Sequence, residues 1–403
     1  MMPGKFLYNF SREVYDMKLL AIGILIAVLL AGCTFRHTTH SSVTEAQSQT
    51  ATTIYSTSAS QEQSESVCVD PVLELLASMS VEEKVGQLFL ATCPETNQTG
   101  DIEIYHPCGY ILFQKDFENQ TPQSIKQLIN NYQAVSSIPM LIAVDEEGGT
   151  VCRVSSNSAF TAVRFPSPRN AFSLGGMEYV LTVEKEKAAL LASLGINVNL
   201  APVCDITTLP SSFMYKRSLG QSAEVTAQFV TATEAQAKDL GVGCVLKHFP
   251  GYGNNTDTHT GIAIDRRTIE ELSGNDLIPF QTAINNGCGA IMVSHTIVQC
   301  LDAQRPASLS PAVHRYLREN MGFDGVIITD DLIMGAIVGS YESGEAAVTA
   351  VLAGNDLLCS TAYQVQYPAV LHAVNSGRIS EEMLDQSVLR ILRWKQSLGL
   401  LPE

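Results

Sequence analysis

Val242-Gly243-Cys244-Val245-Leu246-Lys247-His248-Phe249-Pro250-Gly251-Tyr252-Gly253 is an apolar run that stops on a cation and an imidazole, then turns into a Gly/Pro loop. A short strand apolar on both faces belongs to a sheet covered on both sides, as in parallel sheets packed under helices. The same form recurs along the chain. Candidate strands fall at 86–91, 109–113, 140–144, 198–202, 244–246, 290–294, 326–329 and 356–359. Helical periodicity fills the intervals, as at 178–194, 223–240 and 345–353, and 380–400 reads as a closing amphipathic helix around Leu384, Val388, Ile391 and Trp394. Eight strand–helix units predict an α/β fold built as one closed (β/α)8, TIM-like barrel, in preference to an open doubly wound sheet.

Polar residues stand where the candidate strands run out: Asp145, Asp205, Lys247 with His248, His295 and Asp330. Barrel active sites occupy that rim, assembled from the C-terminal ends of different strands. Any one of these could simply cap a loop, but five strand ends behaving alike point to a site. The loop after Lys247-His248 adds Asp257 and His259, two residues apart, and an aspartate beside an imidazole can orient it and tune its pKa. The ordinary reading of such a pair is a surface contact. For Asp330-Asp331 the residues alone leave a nucleophile, a metal ligand and a helix cap open.

At 403 residues and 45% hydrophobic, the chain can bury a sizeable core. Its formal charge of −16 argues against nucleic acid and against electrostatic docking on anionic lipid. The N-terminus reads as a targeting segment. Lys18 precedes an apolar run from Leu19 to Leu30, and then comes Leu30-Ala31-Gly32-Cys33. That run is too short to span a bilayer, which takes about 20 residues. Its ending resembles the bacterial lipobox, in which Cys33 becomes the lipidated first residue. Met17 is an alternative start, since Met17-Lys18 opens a more typical signal. The expected organisation is a lipoprotein signal peptide at 1–32, a Ser/Thr/Gln-rich tether at 33–70 and a barrel domain at 71–403, tethered to the cell membrane on its extracytoplasmic face. The remaining cysteines show no CxxC pair, so zinc is disfavoured; most read as core thiols, with Cys68 to Cys93 or Cys108 the one pairing left open.

Five blocks in order carry a family resemblance: Met79-Ser80-Val81-Glu82-Glu83-Lys84-Val85-Gly86-Gln87, Val144-Asp145-Glu146-Glu147-Gly148-Gly149, Arg217-Ser218-Leu219-Gly220, the Lys-His-Phe-Pro-Gly block, and Thr329-Asp330-Asp331-Leu332-Ile333-Met334. Over about residues 72–400 the chain resembles glycoside hydrolase family 3, in its bacterial β-N-acetylglucosaminidase branch. The resemblance implies a retaining β-N-acetylhexosaminidase that acts on terminal β-linked N-acetylglucosamine of cell-wall or related glycans. It implies Asp330 as the nucleophile, because the family places that residue directly after Ser/Thr, and leaves Asp331 to cap the next helix. It implies His259, paired with Asp257, as the acid and base, matching the branch's Asp-Ser-His loop. The family's two-domain β-glucosidases take their acid from a C-terminal domain, and the sequence ends before one is expected.

The resemblance further implies sugar binding by Asp145, Arg153, Arg217, Lys247 and His248, with no metal or organic cofactor. No protein partner is inferred. Departures from the pattern are Glu146 for a common Gln, Thr150 for an Arg, Tyr252 for the His of Gly-His-Gly, Asn254 for an Asp, and a loop one residue short before His259. Other activities within the family are a β-N-acetylglucosaminide phosphorylase or a β-glucosidase or β-xylosidase. A reading of another class is a sugar-binding lipoprotein without catalysis.

Overall fold

A computed structural model describes residues 70–255, 257–258 and 261–403. The expected signal segment at 1–32, the expected tether up to residue 69, Cys33, Cys68 and His259 lie outside those residues. Eight parallel strands form the frame: β1 Phe89–Thr92, β2 Gly109–Leu112, β3 Leu141–Val144, β4 Val198–Asn199, β5 Gly243–Phe249, β6 Ala290–Val293, β7 Val326–Thr329 and β8 Leu358–Ser360. They run in the order β7-β6-β5-β4-β3-β2-β1-β8, so sequence neighbours are sheet neighbours and β8 returns beside β1. The last seam is one bridge, Ile328 opposite Leu357. There the Thr329 amide donates to the Leu357 carbonyl at 3.0 Å, and Thr329 Oγ1 accepts from the Cys359 amide at 3.0 Å. The result is a nearly closed (β/α)8 barrel, as the strand–helix rhythm predicts.

The strand interiors are buried throughout: all seven residues of β5 and all four of β2, β3, β6 and β7. Each large aliphatic side chain so buried contributes about 1.5–3 kcal/mol of transfer free energy. β4 keeps only two paired residues, Val198 and Asn199. Two side-chain amides replace the missing ladder. Asn197 accepts from the Ile142 amide at 2.8 Å and donates to Met140 O at 3.0 Å, while Asn199 accepts from the Glu146 amide at 3.0 Å and donates back to its carbonyl at 3.2 Å.

The first strand departs from the expectation of 86–91. Gly86 and Gln87 finish the helix Val81–Gln87, which a reciprocal Ser80–Glu83 capping box initiates. Gly86 belongs there because a Cβ would meet the Tyr105 carbonyl at 2.3 Å. At the other end Asp356 precedes β8. Its buried carboxylate accepts from the Ile327 amide at 2.8 Å and pairs with Arg318 and Arg390. The helix expected at 178–194 begins earlier, at Pro168 after a Ser167 cap, and breaks at Gly175 and Gly176. Helix Glu381–Ser397 buries Leu384, Val388, Ile391 and Trp394, packing on the helices Pro71–Ser78 and Val81–Gln87. Seven of the eight described cysteines are buried, Cys93 and Cys108 among them, and all eight are free thiols.

Glu234 gives this frame a pH dependence. It lies on helix Ala223–Lys238 and accepts from the Gly289 amide at 3.0 Å at the foot of β6. Burial pushes its carboxyl up to about 7, against the lowering effects of that amide and Lys238. Between its unfolded pKa of about 4.3 and 7, only the folded state holds this proton. Its contribution is therefore complete below the unfolded value and is lost as pH rises through 7. Glu234→Gln should remove about 1–3 kcal/mol of that decline, measured as the change in urea midpoint from pH 4.5 to 8. An unchanged slope in the variant would show that Glu234 ionises normally.

Candidate active site

The C-terminal ends of the strands surround a cavity of about 720 Å³. Its walls include Asp145, Arg153, Arg217, Lys247, His248, Asp257 and Asp330. These side chains come from β5 and from the segments after several strands, and the barrel brings them together. His259, the other residue singled out for chemistry, lies outside the described residues.

One wall is a charge network. Lys247 Nζ lies 2.6 Å from Asp145 Oδ1 and 2.7 Å from Glu147 Oε1. Arg217 takes Glu147 through both arms, Nε to Oε2 at 2.9 Å and NH2 to Oε1 at 2.6 Å. Burial opposes the Glu147 charge, but Arg217 and Lys247 overcome it and hold the carboxyl well below the usual carboxylate range. Burial likewise opposes the Lys247 ammonium, and Asp145 and Glu147 outweigh it to raise its pKa. Arg153 reaches Asp145 at 3.6 Å and lies over the Phe113 ring. The ion pairs hold these side chains in place, so the wall presents oriented donors and acceptors, which suits a polyhydroxylated ligand.

His248 continues this wall. Its Nδ1 lies 2.8 Å from Asp205 Oδ2, and Arg217 NH2 approaches its Nε2 at 3.3 Å. Since guanidinium only donates, Nε2 accepts and Nδ1–H donates to Asp205. Asp205 also accepts the His248 amide at 3.1 Å and the Tyr252 amide at 2.6 Å. The peptide bonds Lys247–His248 and Phe249–Pro250 are both cis.

Across the cavity Asp330 follows β7. Its amide donates to Val293 O at 3.2 Å, and its Oδ1 accepts from the Asp331 amide at 2.9 Å. Asp331 does not cap the next helix, Gly335–Val338, whose cap is Met334. It accepts instead from Thr361 Oγ1 at 2.5 Å and from the Ile333 amide at 3.2 Å, because the turn after β7 carries it toward β8. Burial raises the Asp331 pKa despite those donors. The His295 ring is buried, with its Nδ1 2.6 Å from Ser308 Oγ and its Nε2 3.0 Å from the Asp331 carbonyl.

Two residues of the site escaped the sequence reading. Glu147 was passed over for Asp145, although two buried cations need more than one carboxylate nearby. Glu146 accepts from the Arg153 amide at 2.9 Å and the Val154 amide at 2.8 Å, and so shapes the loop that presents Arg153. Among the described residues no group of three His, Cys, Asp or Glu side chains is arranged to hold a metal ion.

The chain is similar to beta-hexosaminidase LpqI of Mycobacterium tuberculosis, 30% identical over 341 residues that make up 81% of this chain and 86% of that protein. A secreted glycosyl hydrolase of Arthroderma benhamiae is 32% identical over 302 residues, 70% of this chain and 83% of that one. Among solved structures, a glycoside hydrolase family 3 beta-N-acetylglucosaminidase from Paenibacillus superposes with a TM-score of 0.75 at 34% identity, covering 80% of this chain. The chain spans 63% of that enzyme's length. The model of the glycosyl hydrolase family 3 N-terminal domain matches residues 80–394. With that match over most of the barrel, the chain is a glycoside hydrolase and belongs to glycosyl hydrolase family 3.

Proposed function

We propose that this glycoside hydrolase is a retaining β-N-acetylhexosaminidase, which removes terminal β-linked N-acetylglucosamine from cell-wall or related glycan fragments. The observation that carries the reading is the convergence of Asp330 and Asp257 with the charge network of Asp145, Lys247, Arg217, His248 and Arg153 on one cavity. The relatives named as beta-hexosaminidase and beta-N-acetylglucosaminidase support the substrate class.

In this mechanism Asp145, Arg153, Arg217, Lys247 and His248 hold the sugar hydroxyls and set the anomeric carbon before Asp330. The Asp330 carboxylate attacks that carbon as the glycosidic bond breaks, and His259 gives its proton to the departing oxygen. The neutral His259 then takes a proton from water, whose oxygen displaces Asp330 and restores both groups. Two inversions leave the β configuration. Asp257 orients the imidazole and stabilises its cation. No step calls for a cofactor.

Turnover of aryl β-N-acetylglucosaminide, aryl β-glucoside and aryl β-xyloside, each with and without phosphate, tests the reading. Hydrolysis of the first, indifferent to phosphate, is the expected result. A phosphate-dependent sugar phosphate would make the protein a phosphorylase. Sugar binding without turnover of any substrate would leave a binding lipoprotein.

The proposed setting is the extracytoplasmic face of the cell membrane, with 1–32 as signal peptide, Cys33 as lipid anchor, 33–70 as tether and 71–403 as the barrel domain. The segment Leu30-Ala31-Gly32-Cys33 after an apolar run supports it, as does the secreted relative. Cys33→Ala should yield an unlipidated protein, uncleaved or released, in detergent partition of fractionated cells. Parent protein found free and unmodified in the cytosol would overturn both export and anchoring.

A further inference from the structure

Tyr252 stands where this chain departs from its family's Gly-His-Gly pattern, and the fold makes it a meeting point of three loops. Its side chain is 1% exposed. Its amide donates to Asp205 Oδ1 at 2.6 Å, on the loop after β4. Its ring meets the His248 ring edge-on, with centroids 5.1 Å apart and planes at 89°, and the Phe213 ring at 5.8 Å. Its hydroxyl forms a short hydrogen bond with Thr258 Oγ1. Thr258 is fully buried, and its carbonyl accepts from the Ala336 amide at 3.3 Å, in the short helix Gly335–Val338 that follows Asp330.

We propose that Tyr252 is a positioning residue for acid–base catalysis: its hydroxyl pins Thr258, and thereby the loop carrying Asp257 and His259, to the His248–Asp205 pair that grips the sugar. The inference rests on the proposed roles of His259 and Asp330. Its logic is positional. Thr258 is the residue between the proposed dyad partners, and a buried hydroxyl there has few ways to be satisfied. Tyr252 supplies one bond, while the Thr258 backbone ties the same point to the helix after Asp330. Thr258, held from both sides, fixes the point from which the chain runs on to the proposed donor, and a catalytic group anchored close by loses less to misorientation. The ring contact with His248 ties that placement to the part of the wall that holds the substrate.

Tyr252→Phe keeps the ring, the amide bond to Asp205 and the packing, and removes only the hydroxyl. With the full-length enzyme, kcat/KM on a poor leaving group, such as the N-acetylglucosaminyl disaccharide, should fall about 10–30-fold, a buried hydrogen bond's worth of positioning. On a dinitrophenyl glycoside, which departs without a proton, kcat/KM should fall less than about three-fold. KM for the disaccharide should change little. Thr258→Val should reproduce the pattern, and the double variant should be no worse than the poorer single one, since both remove the same bond. Circular dichroism and the thermal midpoint show that each variant is folded.

Equal losses on both leaving groups, or none on the disaccharide, would overturn the inference. So would additive losses in the double variant. If the parent enzyme hydrolyses the disaccharide and His259→Ala is sensitive to the leaving group while Tyr252→Phe is not, the positioning role alone fails. If His259→Ala lacks that sensitivity, the acid–base assignment fails with it.

Discussion

Asp330→Ala is expected to lower turnover by roughly 10⁴–10⁶-fold, the scale on which covalent enzymes lose activity when a nucleophile or its partner is removed. The side chain lies on the cavity wall and not in the apolar core, so the thermal midpoint should hardly move. The alanine leaves a space facing the anomeric carbon. Azide should enter it and restore turnover of a dinitrophenyl β-glycoside, giving the α-glycosyl azide by a single inversion. In the parent enzyme a 2-fluoro sugar should label Asp330. Asp331 is the alternative, and its contacts speak against it: Thr361 and the Ile333 amide already occupy its oxygens, and burial favours its protonated form. A label on Asp331, or an α-azide product from Asp331→Ala in place of Asp330→Ala, would move the nucleophile by one residue.

The barrel was legible because its rule is repetitive. A strand buried on both faces has to be apolar throughout, and the polar residue that ends it marks the rim, as Thr329-Asp330 shows. β5, expected to stop at Leu246, instead runs on through Lys247 and His248 to Phe249, because those two polar side chains find buried carboxylate partners. Local periodicity was less informative where capping overrode it. Gly86 and Gln87 look like strand, yet the Ser80–Glu83 box starts a helix that carries through them. Tertiary partners were invisible for the same reason. Nothing in Asp145-Glu146-Glu147 says which carboxylate points at a ligand, which braces two cations and which shapes a loop. Those roles come from Arg217, Lys247 and Arg153, some 70, 100 and 7 residues away in the chain. Asp331 shows the opposite failure. Its position before a helix suggested a cap, and the proximity of Thr361 across the last strand gave it another partner. Single-sequence reading finds residues whose role is set by their own strand, and misses those whose role is set by a neighbouring one.

His259→Ala tests the step on which the mechanism departs from two-carboxylate glycosidases. If His259 protonates the leaving oxygen, its loss matters most when that oxygen is a poor leaving group. Natural oligosaccharides should slow by roughly 10²–10⁴-fold, the usual share of general acid catalysis. Dinitrophenyl glycosides need almost no proton, so their kcat/KM, which reports formation of the intermediate, should suffer far less. Breakdown of the intermediate still needs a base to activate water. With an activated substrate the glycosyl group should therefore accumulate on Asp330 and appear as a burst of phenolate before a slow steady state. Azide, which attacks without losing a proton, should accelerate that steady state and give the β-glycosyl azide, opposite in configuration to the product from Asp330→Ala. Asp257→Ala should behave as a milder version, because the imidazole survives and loses only its orientation. Equal losses on natural and activated substrates, with no burst and no azide effect, would make His259 a binding residue and leave the departing oxygen without its proton donor.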